Sequence, residues 1–159
     1  MAGTGERADR GVRQGPDGGF RLAAVFDRVD PVTGPGFAPD RAVVDDPEEL
    51  AALVAYLRAG AAVLMTPMLM DDVLDATRRG VVPLHYRTDG EWIWTDTVTY
   101  YLERYALAPE AALRSHVRER GVFGPAPDAE TVQRAADFVL NPPEPPRPVW
   151  RPDGSAPTG

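Results

Sequence analysis

Residues 83–95 read PLHYRTDGEWIWT. Their reading decides the fold, because Asp89-Gly90 is the strongest short hairpin signal in the chain. Both positions tolerate the positive φ that a two-residue type I′ turn requires. With those two residues at the tip, Thr88 faces Glu91, Arg87 faces Trp92, Tyr86 faces Ile93 and His85 faces Trp94. Side chains alternate across a strand, so one face carries Leu84, Tyr86 and Ile93 while the other gathers His85, Arg87, Trp92 and Trp94.

That second face is the candidate binding site. Arg87 opposite Trp92 is expected to lay its guanidinium over the indole, worth about 0.5–1 kcal/mol at an exposed site. Tryptophan and arginine are also the residues most enriched at binding hot spots. The competing reading packs the same face beneath helices, with both tryptophans in the core and Arg87 snorkelling at its edge. A sheet covered on both sides buries its aromatics as well.

Working outward, residues 20–29 (FRLAAVFDRV) read as a strand and residues 41–44 (RAVV) as a second, joined across a loop into a hairpin. Asp46 is placed to cap a helix with Pro47 at its first position and Glu49 three residues after the cap, a form of the capping box. Leu50, Leu53, Val54 and Leu57 share one face of that helix and Gly60 ends it. The apolar run at residues 61–66 (AAVLMT) suits a buried central strand, stopped by Pro67. Residues 68–80 (MLMDDVLDATRRG) place Met70, Val73, Leu74 and Thr77 on one side of a further helix.

Past the hairpin, Thr95 or Asp96 caps a helix with the stripe Val98, Tyr101, Leu102 and Tyr105. Pro109 begins another along Leu113, His116, Val117 and Arg120, closed by Gly121. Asp128 begins the last, with Val132, Ala136, Val139 and Leu140 as its apolar positions. The expected fold class is α+β: a small mixed β-sheet with a central β-hairpin at about residues 81–95, packed against about four to five helices. The expected organisation is a flexible N-terminal tail over residues 1–19, a single domain over 20–140 and a Pro-rich tail over 141–159. Within the last, the run from Pro142 to Arg147 has a PxxPxR-like form, read as a solvated semi-rigid segment.

Composition narrows the function. The chain has 159 residues, a net charge of −7 and no cysteine. An acidic chain lacks the Lys and Arg surplus that displaces counterions from nucleic acid, so no nucleic-acid partner is expected. Without cysteine there are no disulfides and no thiolate chemistry. No apolar run reaches the length of a membrane span and the first residues lack a signal-peptide core. The expected setting is therefore cytoplasmic, with no membrane partner.

Catalysis finds thin support. No nucleophile elbow, glycine-rich phosphate loop or zinc-binding helix motif is present. An alternative reading as a small hydrolase or ligand-binding regulator takes His85 as base, Asp71, Asp72 or Asp75 as its orienting partner and Arg87 as anion stabiliser. No catalytic residue, metal site or cofactor is assigned. His116, beside Leu113 and Val117, reads as a partly buried packing residue, and the three aspartates as a solvated face.

Residues 70–109, with RTDG before WIW and a following TVTYYL helix, resemble a recurring pattern in small, functionally unassigned actinobacterial proteins. The absence of lysine among 17 basic residues matches the composition of such high-GC genomes. In size and acidity the chain also resembles immunity proteins that neutralise toxins. That resemblance implies a non-enzymatic cytoplasmic domain that binds a protein partner.

Overall fold

A computed structural model describes residues 19–141. The tails expected over residues 1–18 and 142–159, with the PxxPxR-like run, lie outside the described residues. Eight short strands and four helices follow in the order β1 (Arg21–Leu22), β2 (Arg28–Asp30), β3 (Gly34–Gly36), α1 (Pro47–Ala59), β4 (Ala61–Leu64), β5 (Leu69–Met70), β6 (Val82–Pro83), β7 (Tyr86–Thr88), β8 (Trp92–Thr95), α2 (Asp96–Tyr105), α3 (Ala111–Arg120) and α4 (Ala129–Leu140). The main sheet runs β1-β8-β7-β4, with β1 parallel to β8 and the other pairs antiparallel. Two small ribbons, β2-β3 and β5-β6, stand beside it. This is the expected α+β class.

The hairpin spans β7 and β8, and its register is shifted from the expected one. Thr88 pairs with Ile93, Arg87 with Trp94 and Tyr86 with Thr95. The Asp89 N–H donates to the Trp92 carbonyl at 3.3 Å, so Gly90 and Glu91 occupy the tip, with Gly90 at φ 103°. Glycine at the first tip position is what a II′ turn prefers. Asp89 moves into the flanking position because its carboxylate captures the backbone N–H groups of Glu91 and Trp92. Sliding the turn by one residue slides the pairing by two, so every side chain keeps its face.

Both faces are covered. On one, Trp92 and Trp94 pack with Leu53, Leu57, Leu102 and Leu113 of α1, α2 and α3. On the other, Ile93 packs with Phe20 and Ala135, flanked by Tyr86 and Phe138. The α4 helix therefore closes the sheet from the side opposite the other three. Its Asp128 cap accepts from the Thr131 N–H at 2.8 Å, as its sequence position suggests.

Several expected elements take other forms. The strand expected over residues 20–29 is two pieces, β1 and β2, and RAVV contributes only the bridge of Val43 to Leu107. Arg41 explains part of this: its guanidinium donates to the carbonyls of Val25 and Ala108, occupying acceptors that a sheet ladder would need. Residues 61–66 do not form a central strand. β4 lies at the sheet edge, pairing only with β7. Asp46 caps α1 through the Glu48 N–H, while Glu49 leaves the capping box for Arg114 and Arg118. Residues 71–80 are not helical. No helix among the described residues is long and apolar enough to cross a membrane.

Candidate functional site

The hairpin face that gathers His85, Arg87, Trp92 and Trp94 does not stay together as a surface. Trp94 is fully buried and Trp92 is 4% exposed. The Trp94 indole N–H donates to the Leu57 carbonyl at 3.1 Å, at the point where α1 ends. Gly60 makes the approach possible, since a Cβ there would stand 2.6 Å from the Trp94 ring. The cation over Trp92 is Arg21, at 4.5 Å from the ring centre, and not Arg87. The tryptophans thus follow the core reading.

Arg87 and His85 remain partly exposed and separate. Arg87 donates from Nε to Asp96 at 2.7 Å and from Nη1 to the Gly60 carbonyl at 3.0 Å. This places it in a groove between the end of α1, β6 and α2. His85 accepts the Thr66 N–H on Nδ1 at 3.1 Å, which puts its remaining ring proton on Nε2. Among the described residues no carboxylate hydrogen-bonds His85, so the base-and-aspartate pair of the hydrolase reading is not assembled.

His85 instead fixes the start of a segment that exposes apolar side chains. Met65, Met68 and Leu69 are 54%, 60% and 53% exposed, and Val73 and Leu74 are exposed beside them. Beneath them sits Asp72, whose side chain is fully buried. One Asp72 oxygen accepts the hydroxyls of Tyr100 and Tyr105, each at 2.7 Å, and the other accepts the Leu74 N–H at 2.7 Å. The Val73 N–H donates to the Tyr101 hydroxyl at 2.9 Å. Three tyrosines of α2 therefore hold the turn of a ledge.

Burial alone pushes the Asp72 carboxyl up, but hydrogen bonds from Tyr105, Tyr100 and the backbone outweigh it and hold the group below the usual carboxylate range. Burial pushes the Tyr101 phenol up to about 12. The other two aspartates are similarly engaged: Asp71 accepts the Gly80 N–H at 2.8 Å, and Asp75 accepts the Thr77 N–H and hydroxyl. These local bonds compete with helix formation, which is why the expected helix is absent. They also direct the three carboxylates to different backbone groups.

A second buried carboxylate lies in the hairpin turn. Asp89 accepts the Tyr56 hydroxyl at 2.5 Å and the His116 Nε2–H at 2.7 Å, besides the two backbone N–H groups of its own turn. Burial raises its carboxyl, yet the bonds from His116, Trp92, Tyr56 and Glu91 together bring it to about 2. The Asp89 side chain is fully buried and His116 is nearly so. The cluster braces α1 and α3 against the hairpin. His116 is a packing residue with a charged partner that its helical spacing does not reveal.

Comparison with family models, with curated proteins and with solved structures finds no match. The residues that sequence reasoning missed are those of the ledge. Part of the signal was present: Pro67 and the three aspartates between residues 71 and 75 suit turns, but the helical spacing of Met70, Val73, Leu74 and Thr77 pointed the other way.

Proposed function

We propose that this chain is a non-enzymatic binding domain that docks a protein partner on the ledge of residues 65–74. The observation that carries the reading is the exposure of Met65, Met68, Leu69, Val73 and Leu74 on a segment held at Thr66 by His85, at Leu69 and Met70 by β6, and at Val73 and Leu74 by Asp72 and three tyrosines. Scattered exposed apolar residues need no explanation, but five within ten residues concentrate apolar surface on one segment, and concentrated apolar surface is what marks interaction sites. A fixed backbone lowers the ordering cost of binding. Methionine adds a side chain that adapts to the contours of a partner. Toxin neutralisation by occlusion in the cytoplasm is the form of binding that the sequence resemblance suggests.

The test uses Met68→Ser and Leu69→Ser together. Affinity capture from the native organism should retain a partner on the wild-type chain and lose it on the double variant, with both melting at the same temperature. A partner retained equally by both would place binding elsewhere. Each anchoring side chain is expected to contribute about 2 kcal/mol if it sits at the centre of the interface.

A further inference from the structure

The groove that holds Arg87 has a volume of about 510 Å³, within the range of small-molecule sites. Its charges are arranged by wall. Arg58 and Arg87 come from the α1 and β7 side, while Asp96 and Glu103 come from one face of α2. Val81, Pro83 and the Tyr100 ring line it between them. The two ion pairs across it differ. Arg87 and Asp96 are 23% and 17% exposed, whereas Arg58 and Glu103 are 61% and 52% exposed.

The Arg87–Asp96 pair is not saturated. Of the five guanidinium N–H groups, one meets Asp96 at 2.7 Å, one the Gly60 carbonyl and one Asp96 again at 3.5 Å. Two donors remain. Thr99 also lines the groove, with its side chain buried in the α2 wall. The other large groove, of about 480 Å³, offers less: its Arg41 is taken by two carbonyls and Asp27, and its Arg114 by Glu49.

We infer that the groove between α1, β6 and α2 binds a small zwitterion of the amino-acid or short-peptide class. Its carboxylate takes the spare N–H groups of Arg87 together with Arg58, in the planar fork that arginine offers a carboxylate. Its ammonium takes Glu103 and the free lone pairs of Asp96. The exposed Arg58–Glu103 pair contributes little by itself, so a ligand bearing both charges opens it and replaces both partners. A simple anion or cation satisfies only one wall. This site is independent of the ledge, although Tyr100 borders both.

The test is an NMR titration of the full chain with L-leucine, L-phenylalanine, L-arginine and glycyl-L-leucine, each beside its N-acetyl and C-amide forms. At least one free zwitterion should shift the amides of Thr99, Tyr100 and Glu103 in a saturable way. Its N-acetyl and amide forms should bind at least about tenfold more weakly. Arg58→Gln and Glu103→Gln should each weaken it by about tenfold or more while leaving the melting temperature unchanged. The inference is overturned if no compound gives saturable shifts in these residues, if the blocked forms bind as well, or if neither substitution matters. None of these outcomes bears on partner capture by the ledge.

Discussion

Asp72 and Asp89 are the same device in two places. Each is a buried carboxylate that collects phenolic hydroxyls and backbone N–H groups, and each is held below the usual carboxylate range against the upward push of burial. Their surroundings differ. Around Asp89, Trp92, Ile93 and Trp94 turn inward and are covered by helices. Around Asp72, Val73, Leu74 and Leu69 remain exposed among the described residues. A carboxylate that braces a core contributes to folding, whereas one that braces an exposed apolar turn keeps a costly surface in place. The second arrangement is the one on which the proposed docking rests.

The comparison breaks most visibly at the tryptophans. Trp94→Ala should cost about 3–5 kcal/mol in a denaturant melt, because it empties a fully buried site and removes one of the two hydrogen bonds that the Leu57 carbonyl accepts. A loss near that expected of an exposed residue would return the hairpin face to the surface.

Asp89 gives the next effect, with a defined sign. Its folded carboxyl lies near 2 against an ordinary 3.8, so its contribution is fully present above about pH 3.8 and is lost as pH falls through 2. The shift corresponds to roughly 2 kcal/mol. Asp89→Asn should remove this part of the acid dependence from stability–pH curves, and an unchanged acid limb would show that other carboxylates carry it.

Asp72→Asn should cost about 1–3 kcal/mol, since it weakens two tyrosine bonds at a buried site. Its signature is local: hydrogen exchange at the Val73 and Leu74 amides should accelerate while the hairpin amides stay protected. Uniform acceleration would mean that ledge and core are one cooperative unit. Smallest of all, Met68→Ser should change stability by no more than about 0.5 kcal/mol. A larger loss would show that Met68 packs against something and is not free to bind.

The four helices that form were legible because their signals are local, whereas the helix expected over residues 68–80 does not form. Asp46, Gly60, Asp128 and Gly121 mark ends that the structure keeps, and Leu53, Leu57, Leu102 and Leu113 fall inward as their spacing implies. The hairpin face was legible too, although its register was not, because a two-residue slip leaves the alternation intact. What could not be read was long-range capture of polar groups. Nothing near Asp72 in sequence announces Tyr100 and Tyr105, and nothing near Arg41 announces the Ala108 carbonyl. In the candidate site, Arg87 stands beside the tryptophans in sequence, but its place in the fold is set by Asp96 opposite it. Its companions Arg58 and Glu103 come from helices whose contact only the tertiary fold provides.

The parallel pairing of β1 with β8 has a consequence in time. Arg21 stands beside Trp92 in the sheet, so an early part of the chain waits for a late one during synthesis. The β7-β8 hairpin and α2 are neighbours in sequence and assemble through short loops, whereas β1 joins only after a long loop closes, which is slow. Until then the Ile93 side lacks Phe20, and its remaining cover depends on α4, which is made later still. Between the synthesis of β8 and that of α4 the nascent chain therefore carries a sheet face that is only partly covered.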